Sequence, residues 1–330
     1  MIKGINFVEN NNNKIIEISG KEDRLESLQL AASIHKKTRA DILKYIKPGL
    51  KLSELEEVIT NTITMYTDNK GINGGIAFPP SLSISECIAH FTPYNTIDRT
   101  LKYSDNLKID IGVSVNGWII DSAFTIYFNE ELKELHDTAK EATYIGCNTM
   151  GIDVNINDWA ETIDEYISSK EIYFKKKNDK TAKLYNIKNI KNLGGHTIIK
   201  NNVHGGMFIP SYRIPFNNGQ RFGEGVYAIE PFCSILSDTY ELNYNEITNF
   251  KLKTISSPIE NNIFKKFNYN IFTRKHVDNH NISDFNKISS KLIPYPPLYS
   301  TDLNDYSAQY EHTVHLDSNK KIILSKGLDY

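Results

Sequence analysis

Apolar and polar positions alternate most strictly between Lys108 and Phe128, KIDIGVSVNGWIIDSAFTIYF. This pattern predicts two strands joined at Asn116-Gly117, since both central residues of a type I′ turn need φ > 0 and this pair tolerates it. The two-residue turn sets the register: Val115 opposite Trp118, Val113 opposite Ile120, Gly112 opposite Asp121. Ile109, Ile111, Val113, Ile120 and Phe124 then form a core face, and Asp110, Gly112 and Asp121 share the other. Elsewhere the apolar spacing is three and four. Leu25, Leu28, Ala32, His35, Arg39, Ile42 and Ile46 predict a helix from Glu22 to Lys47, stopped by Pro48-Gly49, with His35 as a packed histidine. Ser53 with Glu56 three residues on is a capping-box pattern. It opens a second helix that buries Leu55, Val58, Ile59 and Ile63. A second helical pair follows the hairpin. Asn129 caps a helix to about Met150 through Leu132, Leu135, Ala139, Ala142 and Ile145, and another runs from Asp158 to Ser168. Gly49-Leu-Lys-Leu-Ser-Glu-Leu-Glu and Gly151-Ile-Asp-Val-Asn-Ile-Asn-Asp have the same character. They form a faint repeat about one hundred residues apart, which predicts two αβ halves related by a pseudo-twofold. The class is α/β (α+β).

Composition narrows the options. The chain has 330 residues, a hydrophobic fraction of 40% and a net charge of −2. That supports a sizeable core and argues against a dedicated nucleic-acid binder. No run of eighteen apolar residues is present, so no membrane span is expected. The first residues, MIKGINFVENNNNKIIEI, lack the apolar core of a signal peptide. Residues 1–20 read as a short strand or a poorly ordered start. Cys87, Cys147 and Cys233 have no metal spacing and read as reduced thiols of a cytoplasmic protein. Lys170 to Lys191 interleaves lysines with Tyr173, Phe174 and Tyr185. It is either a basic patch for RNA or a nascent chain or a solvated loop, and the overall charge balance favours the loop.

The polar face of the hairpin carries the chemistry. Asp110 and Asp121 are diagonal neighbours, about 7–8 Å apart at the backbone. Buried like charges raise each other's pKa unless a cation lies between them. Gly112 leaves room beside them. The plainer alternative is a hairpin with two surface aspartates on its wet side. Three later segments each set a lone ligand-type residue in an apolar or Gly-rich strand: Asn192-Leu-Gly-Gly-His196, Gly225-Val-Tyr-Ala-Ile-Glu230 and Ala308-Gln-Tyr-Glu311. Asp110, Asp121, His196, Glu230 and Glu311 form a hard, oxygen-rich set. It suits a pair of ions such as Mn²⁺, Fe²⁺ or Co²⁺ better than a structural zinc. A Glu inside VYAIEPF needs a partner or a proton. His204 lies too far from His196 to share a helix face with it as a ligand. Glu224 reads as solvent-facing. His276 and His280 are four apart with no third ligand, so zinc is not expected there. From the residues alone His90 is a structural histidine near a loop, and Phe78 is core.

The order Asp110, Asp121, GGH, AIEP and QYEHT resembles the methionine aminopeptidases of the pita-bread fold. The long gap from Glu230 to Glu311, YPPLYS before QYEHTVHL, and KGLDY resemble their type 2 branch. The resemblance runs from about residue 20 to the C-terminus. It implies one catalytic domain over 1–330, with a helical subdomain inserted at about 251–306. The implied reaction is metal-dependent removal of N-terminal methionine from nascent proteins and peptides, with a small second residue preferred. The implied cofactor is two divalent ions (Mn, Co, Fe or Zn). Asp121 and Glu311 would bridge them, Asp110 would hold one, and His196 and Glu230 would complete the other. Glu230 would also shuttle the proton, while His204 and His90 position the amide or stabilise the oxyanion. AHFTP is similar to the family's AHYTP, which places His90 against substrate. Phe78, Val203 and Tyr295 would line the methionine pocket. The branch usually carries a pocket histidine after Glu230. None lies between Glu230 and Arg274 here, and Asn245 is taken as its counterpart. His312 and His315 are placed behind Glu311 or at the surface. The other readings are a proline-directed pita-bread aminopeptidase and an inactive relative that binds RNA or protein. The expected setting is a cytoplasmic monomer that acts on Met-Xaa ends of nascent chains, in reach of a transient ribosome contact and with no membrane.

Overall fold

The computed structural model describes residues 1–3, 24–68, 71–176, 179–215, 219–268, 270–278 and 282–330. The readings at residues 4–20, Glu22 and His280 fall outside them.

The hairpin forms in the expected register. Asn106–Val115 pairs with Trp118–Tyr127, with Gly112 opposite Asp121 and Val115 opposite Trp118. Asn116 and Gly117 both have positive φ, at 50° and 80°. Gly74–Ile76 and Ser81–Ile84 complete a four-stranded antiparallel sheet. Ile109, Ile111, Val113, Ile120 and Phe124 are fully buried. Helix α1 (Arg24–Ile42) packs on this hairpin, and α2 (Leu52–Tyr66) packs on α1. The α-helix α1 ends at Ile42 and a 3-10 turn carries the chain to Tyr45. That is earlier than the stripe implies: Ile46 is already extended, one residue before the Lys47 that Pro48 restricts. His35 is buried, with Nε2 at 3.2 Å from the Ser122 carbonyl.

Ser53 does not cap α2. The N-cap is Lys51, with no side-chain cap bond. Asp98 instead accepts from the Ser53 amide and hydroxyl, and Glu56 is buried against Lys275 at 2.7 Å. A distant carboxylate has replaced the local partner. The reciprocal capping box lies at Ser257 and Glu260, with Pro258 opening the helix that follows.

The second half repeats the plan. Asn129 caps a 3-10 turn that runs into α3 (Lys133–Thr149), and α4 (Ile156–Ser168) packs on α3. A five-stranded antiparallel sheet follows in the order Phe208–Pro210, Gly194–Ile198, Gly225–Ile229, His312–Leu316, Lys321–Ile323. Two αβ halves in one chain are the pita-bread arrangement. The halves are stitched where Gln309 to Thr313 runs beside Asp121 to Thr125. The Glu311 amide donates to the Ala123 carbonyl, the Asp121 amide donates to Thr313 Oγ1, and Thr125 Oγ1 exchanges bonds with the Gln309 backbone.

Asn249 to Tyr295 builds a small unit with its own apolar core of Leu252, Ile263, Phe267, Phe272, Val277, Phe285, Ile288 and Leu292. It contains α5 (Pro258–Phe267), α6 (Lys275–Asp278) and α7 (Ile282–Ile288). It also contains a three-stranded sheet of Phe272–Thr273, Asn249–Leu252 and Leu292–Tyr295 that helical spacing alone did not reveal. Lys170 to Lys191 is not a loop. Glu171–Phe174 and Lys183–Asn186 form an antiparallel hairpin that buries Ile172 and Phe174. Lys176, Lys183 and Lys191 are paired with Asp302, Asp179 and Asp238. The three cysteines are buried free thiols, and no helix among the described residues is long and apolar enough to cross a membrane.

Candidate active site

The stitched seam brings all five sequence-derived ligand residues together. Asp110 and Asp121 come from the hairpin, His196 from Gly194–Ile198, Glu230 from just beyond Gly225–Ile229, and Glu311 from the seam itself. Asp121, His196 and Glu311 each present an atom within 4.8 Å of the others. His196 Nε2 lies 3.5 Å from both Asp121 Oδ2 and Glu230 Oε1. Its Nδ1 faces the Thr197 carbonyl at 3.2 Å. A carbonyl only accepts, so Nδ1 carries a proton, and Nε2 is the ring atom turned toward the carboxylates, where it could bind a metal ion. Gln309 Nε2 donates to Glu230 Oε2 at 3.1 Å. Gly195 permits this geometry: a Cβ there would lie 2.0 Å from the Ala228 carbonyl oxygen, so only glycine lets the two strands pair at His196.

The electrostatics of the cluster are unfavourable as protein alone. Burial first, and then Asp121, push the Asp110 carboxyl well above the usual range. Glu311 and Glu230 are raised for the same reasons, with Gln309 opposing in the case of Glu230. Asp110 Oδ1, Asp121 Oδ1 and both Glu311 carboxylate oxygens are buried with no hydrogen-bond partner. Orphaned buried oxygens are rare and ask for a missing partner. Divalent cations fit: the donors are hard oxygens plus one imidazole, and a cation reverses the repulsion that raises these carboxyls.

Beside the cluster is a cavity of ≈ 50 Å³ lined by Phe78, His90, Val203, His204 and Tyr295 as well as by Asp110, Asp121, His196 and Glu230. A space of ≈ 290 Å³ adjoins it past Gly194, Met207, Phe208 and Phe232. Burial holds the His90 and His204 imidazoles neutral, at about 4 and about 2. His90 adopts φ 67° and faces the Tyr295 hydroxyl at 3.4 Å. The notch at Gly112 is not open space. A Cβ there would sit 2.3 Å from Phe78 Cε1, so the glycine admits the Phe78 ring that walls the cavity.

The matching family model is the metallopeptidase family M24, over residues 26–317. A protein described as methionine aminopeptidase 2 from Komagataella phaffii is 32% identical over 329 residues, covering 94% of this chain and 71% of that protein. Another of the same description from Saccharomyces cerevisiae is 35% identical, covering 91% and 74%. The chain belongs to the type 2 methionine aminopeptidases of family M24.

Solved structures agree on the fold. A methionine aminopeptidase from Rickettsia prowazekii superposes with a TM-score of 0.64 at 18% identity, covering 94% of this chain and all of that one. A thermophilic Arx1 reaches 0.72 at 16%, covering 94% and 93%.

This methionine aminopeptidase differs from its sequence reading in three places. Asn245 is exposed in the turn Tyr244–Glu246 and does not reach the cavity. Asn249 lines it instead, donating to the His90 carbonyl at 3.1 Å and to Thr92 Oγ1 at 3.0 Å. Strand Asn249–Leu252 pairs with Leu292–Tyr295, placing Asn249 opposite Tyr295, a pairing across the insertion that local pattern does not carry. Second, of the two places expected for His312 and His315, burial excludes the surface. His312 bonds Ser325 and stacks on Tyr330, and His315 meets Arg24, so neither faces the carboxylates. Third, the structure adds Gln309, bonded to Glu230, and Lys251, against His204. Gln309 stood in the QYEHT run two residues before Glu311, which was the available signal for it.

Proposed function

We propose that this chain hydrolyses the first peptide bond of Met-Xaa ends of nascent polypeptides, with a small second residue preferred, and that Asp110, Asp121, His196, Glu230 and Glu311 hold two divalent ions for that reaction. One observation carries the reading: four unpartnered, buried carboxylate oxygens converge with a lone-pair-directed imidazole at the seam of a methionine aminopeptidase fold. Bound divalent ions supply Lewis acidity and a nucleophile at neutral pH. The remaining work falls to the chain. Glu230, oriented by Gln309, accepts a proton from the attacking water and returns it to the leaving amine. His204 and His90 are neutral, so they donate N–H groups to the scissile carbonyl without repelling the ions. Phe78, Val203 and Tyr295 exclude water around the methionine side chain. Three buried free thiols support a cytoplasmic setting, and three of the eight lysines from Lys170 to Lys191 are paired with carboxylates, which leaves the others for a transient ribosome contact. The whole chain then acts as a single monomeric catalytic domain, with the insertion closing one side of the pocket.

The test is release of free methionine from Met-Ala-Ser after chelation and after adding back Mn²⁺ or Co²⁺, with Asp121→Asn alongside. Metal-restored cleavage and no cleavage by Asp121→Asn are expected. A folded wild-type chain that fails to cleave with any added metal would sink the proposal and leave a binding role.

A further inference from the structure

Strand Asn249–Leu252 also brings Lys251 against two residues of the pocket wall, His204 and Tyr295. Residues two apart share a strand face, so Lys251 follows Asn249 toward the site. Its Nζ lies 3.1 Å from His204 Nδ1 and 5.2 Å from the centre of the Tyr295 ring. Lys251 is half-buried and forms no ion pair with a carboxylate among the described residues. A cation with that much desolvation and no acidic partner is costly to place. It is not part of the cavity lining, so its role must pass through what it touches.

An ammonium has three donors and no acceptor. His204 Nδ1 must therefore accept, which leaves the imidazole proton on Nε2. Nε2 is on the opposite side of the ring, and His204 itself lines the cavity. The same cation adds a fixed positive charge one ring away from where the carbonyl oxygen gains negative charge. We propose that Lys251 is a positioning residue that locks His204 as an Nε2–H donor toward the scissile carbonyl. The proposal rests on the peptidase reading above. It also assigns the inserted unit a part in the chemistry, since Lys251 is contributed by its central strand and His204 by the main fold.

The experiment uses zinc-loaded, diamagnetic enzyme with ¹⁵N-labelled histidine. His204 is assigned by its missing signal in His204→Gln. Wild type should show His204 protonated at Nε2, and Lys251→Met should shift it toward the Nδ1–H tautomer. Lys251→Gln retains a donor and should restore the tautomer. With Met-Ala-Ser, Lys251→Met should lose about tenfold in kcat with KM within about threefold, because the donor acts mainly in the transition state. Lys251→Arg should recover most of that loss. An Nδ1–H tautomer in wild type overturns the proposal even if the variants fail to fold. So does a Lys251→Met enzyme with an unchanged tautomer or unchanged kcat. If wild type cleaves no methionyl peptide, the peptidase reading fails, while the nitrogen signals still decide the tautomer.

Discussion

Replacing Gly112 with alanine tests whether the glycine serves the metal carboxylates or the pocket wall. The new Cβ would lie 2.3 Å from Phe78 Cε1, 2.5 Å from Cδ1 and 2.8 Å from Cζ. Carbon atoms settle at about 3.5–4.0 Å, so the ring must retreat by more than about 1 Å. Phe78 is only 7% exposed and sits against the core, so retreat means repacking. Overpacking of this kind costs about 1–3 kcal/mol. For a chain of this size that lowers Tm by roughly 2–6 °C. Because Phe78 walls the cavity, KM for a methionyl peptide should rise about tenfold, as a misplacement near 1 Å commonly costs that much or more. The carboxylates do not move, so metal content should stay unchanged. The assay combines thermal unfolding, initial rates on Met-Ala-Ser and metal analysis of the same preparation. Phe78→Ala combined with Gly112→Ala should be less damaging than the two effects added, since the clash is gone. Wild-type Tm and KM in Gly112→Ala, or loss of metal with KM intact, would refute the reasoning.

Two further outcomes follow from buried groups remote from substrate. The His35 imidazole is pushed down to about 3 from 6.5 by burial and then by Arg39. The unfolded chain therefore takes up a proton below pH 6.5 that the native state refuses until about pH 3. Its stabilising effect is complete above pH 6.5 and is lost as pH falls through that window, at about 1.4 kcal/mol per pH unit. His35→Gln should flatten urea-derived stability between pH 6.5 and 4.5 by about that slope, and an identical slope would exclude the assignment. Arg39 is fully buried, paired with Asp329 and 4.2 Å from the Tyr330 ring centre. Asp329→Asn should cost about 3–5 kcal/mol in guanidinium unfolding, since it strands a buried cation. Arg39→Met with Asp329→Leu should recover most of it, and a loss under 1 kcal/mol would show that the pair is effectively solvated.

Much of this protein was legible along the chain because the information is local. The Asn-Gly turn sets the pairing of Gly112 with Asp121, the three-and-four spacing predicts the paired helices, and each candidate ligand carries its own flanking motif. Turn chemistry and periodicity act within a few residues, so a linear reading captures them. Contacts between distant segments were decided otherwise. Asp98 displaced the capping box at Ser53, Phe78 filled the notch at Gly112, and Asn249 rather than Asn245 reached the pocket. Lys251 met His204 across 47 positions, and Gln309 to Thr313 closed on Asp121 to Thr125 across nearly two hundred. The chain could name the candidate ligands. Only the closing of the two halves could bury four of their oxygens without partners, because a carboxylate loses its water only when another segment packs over it.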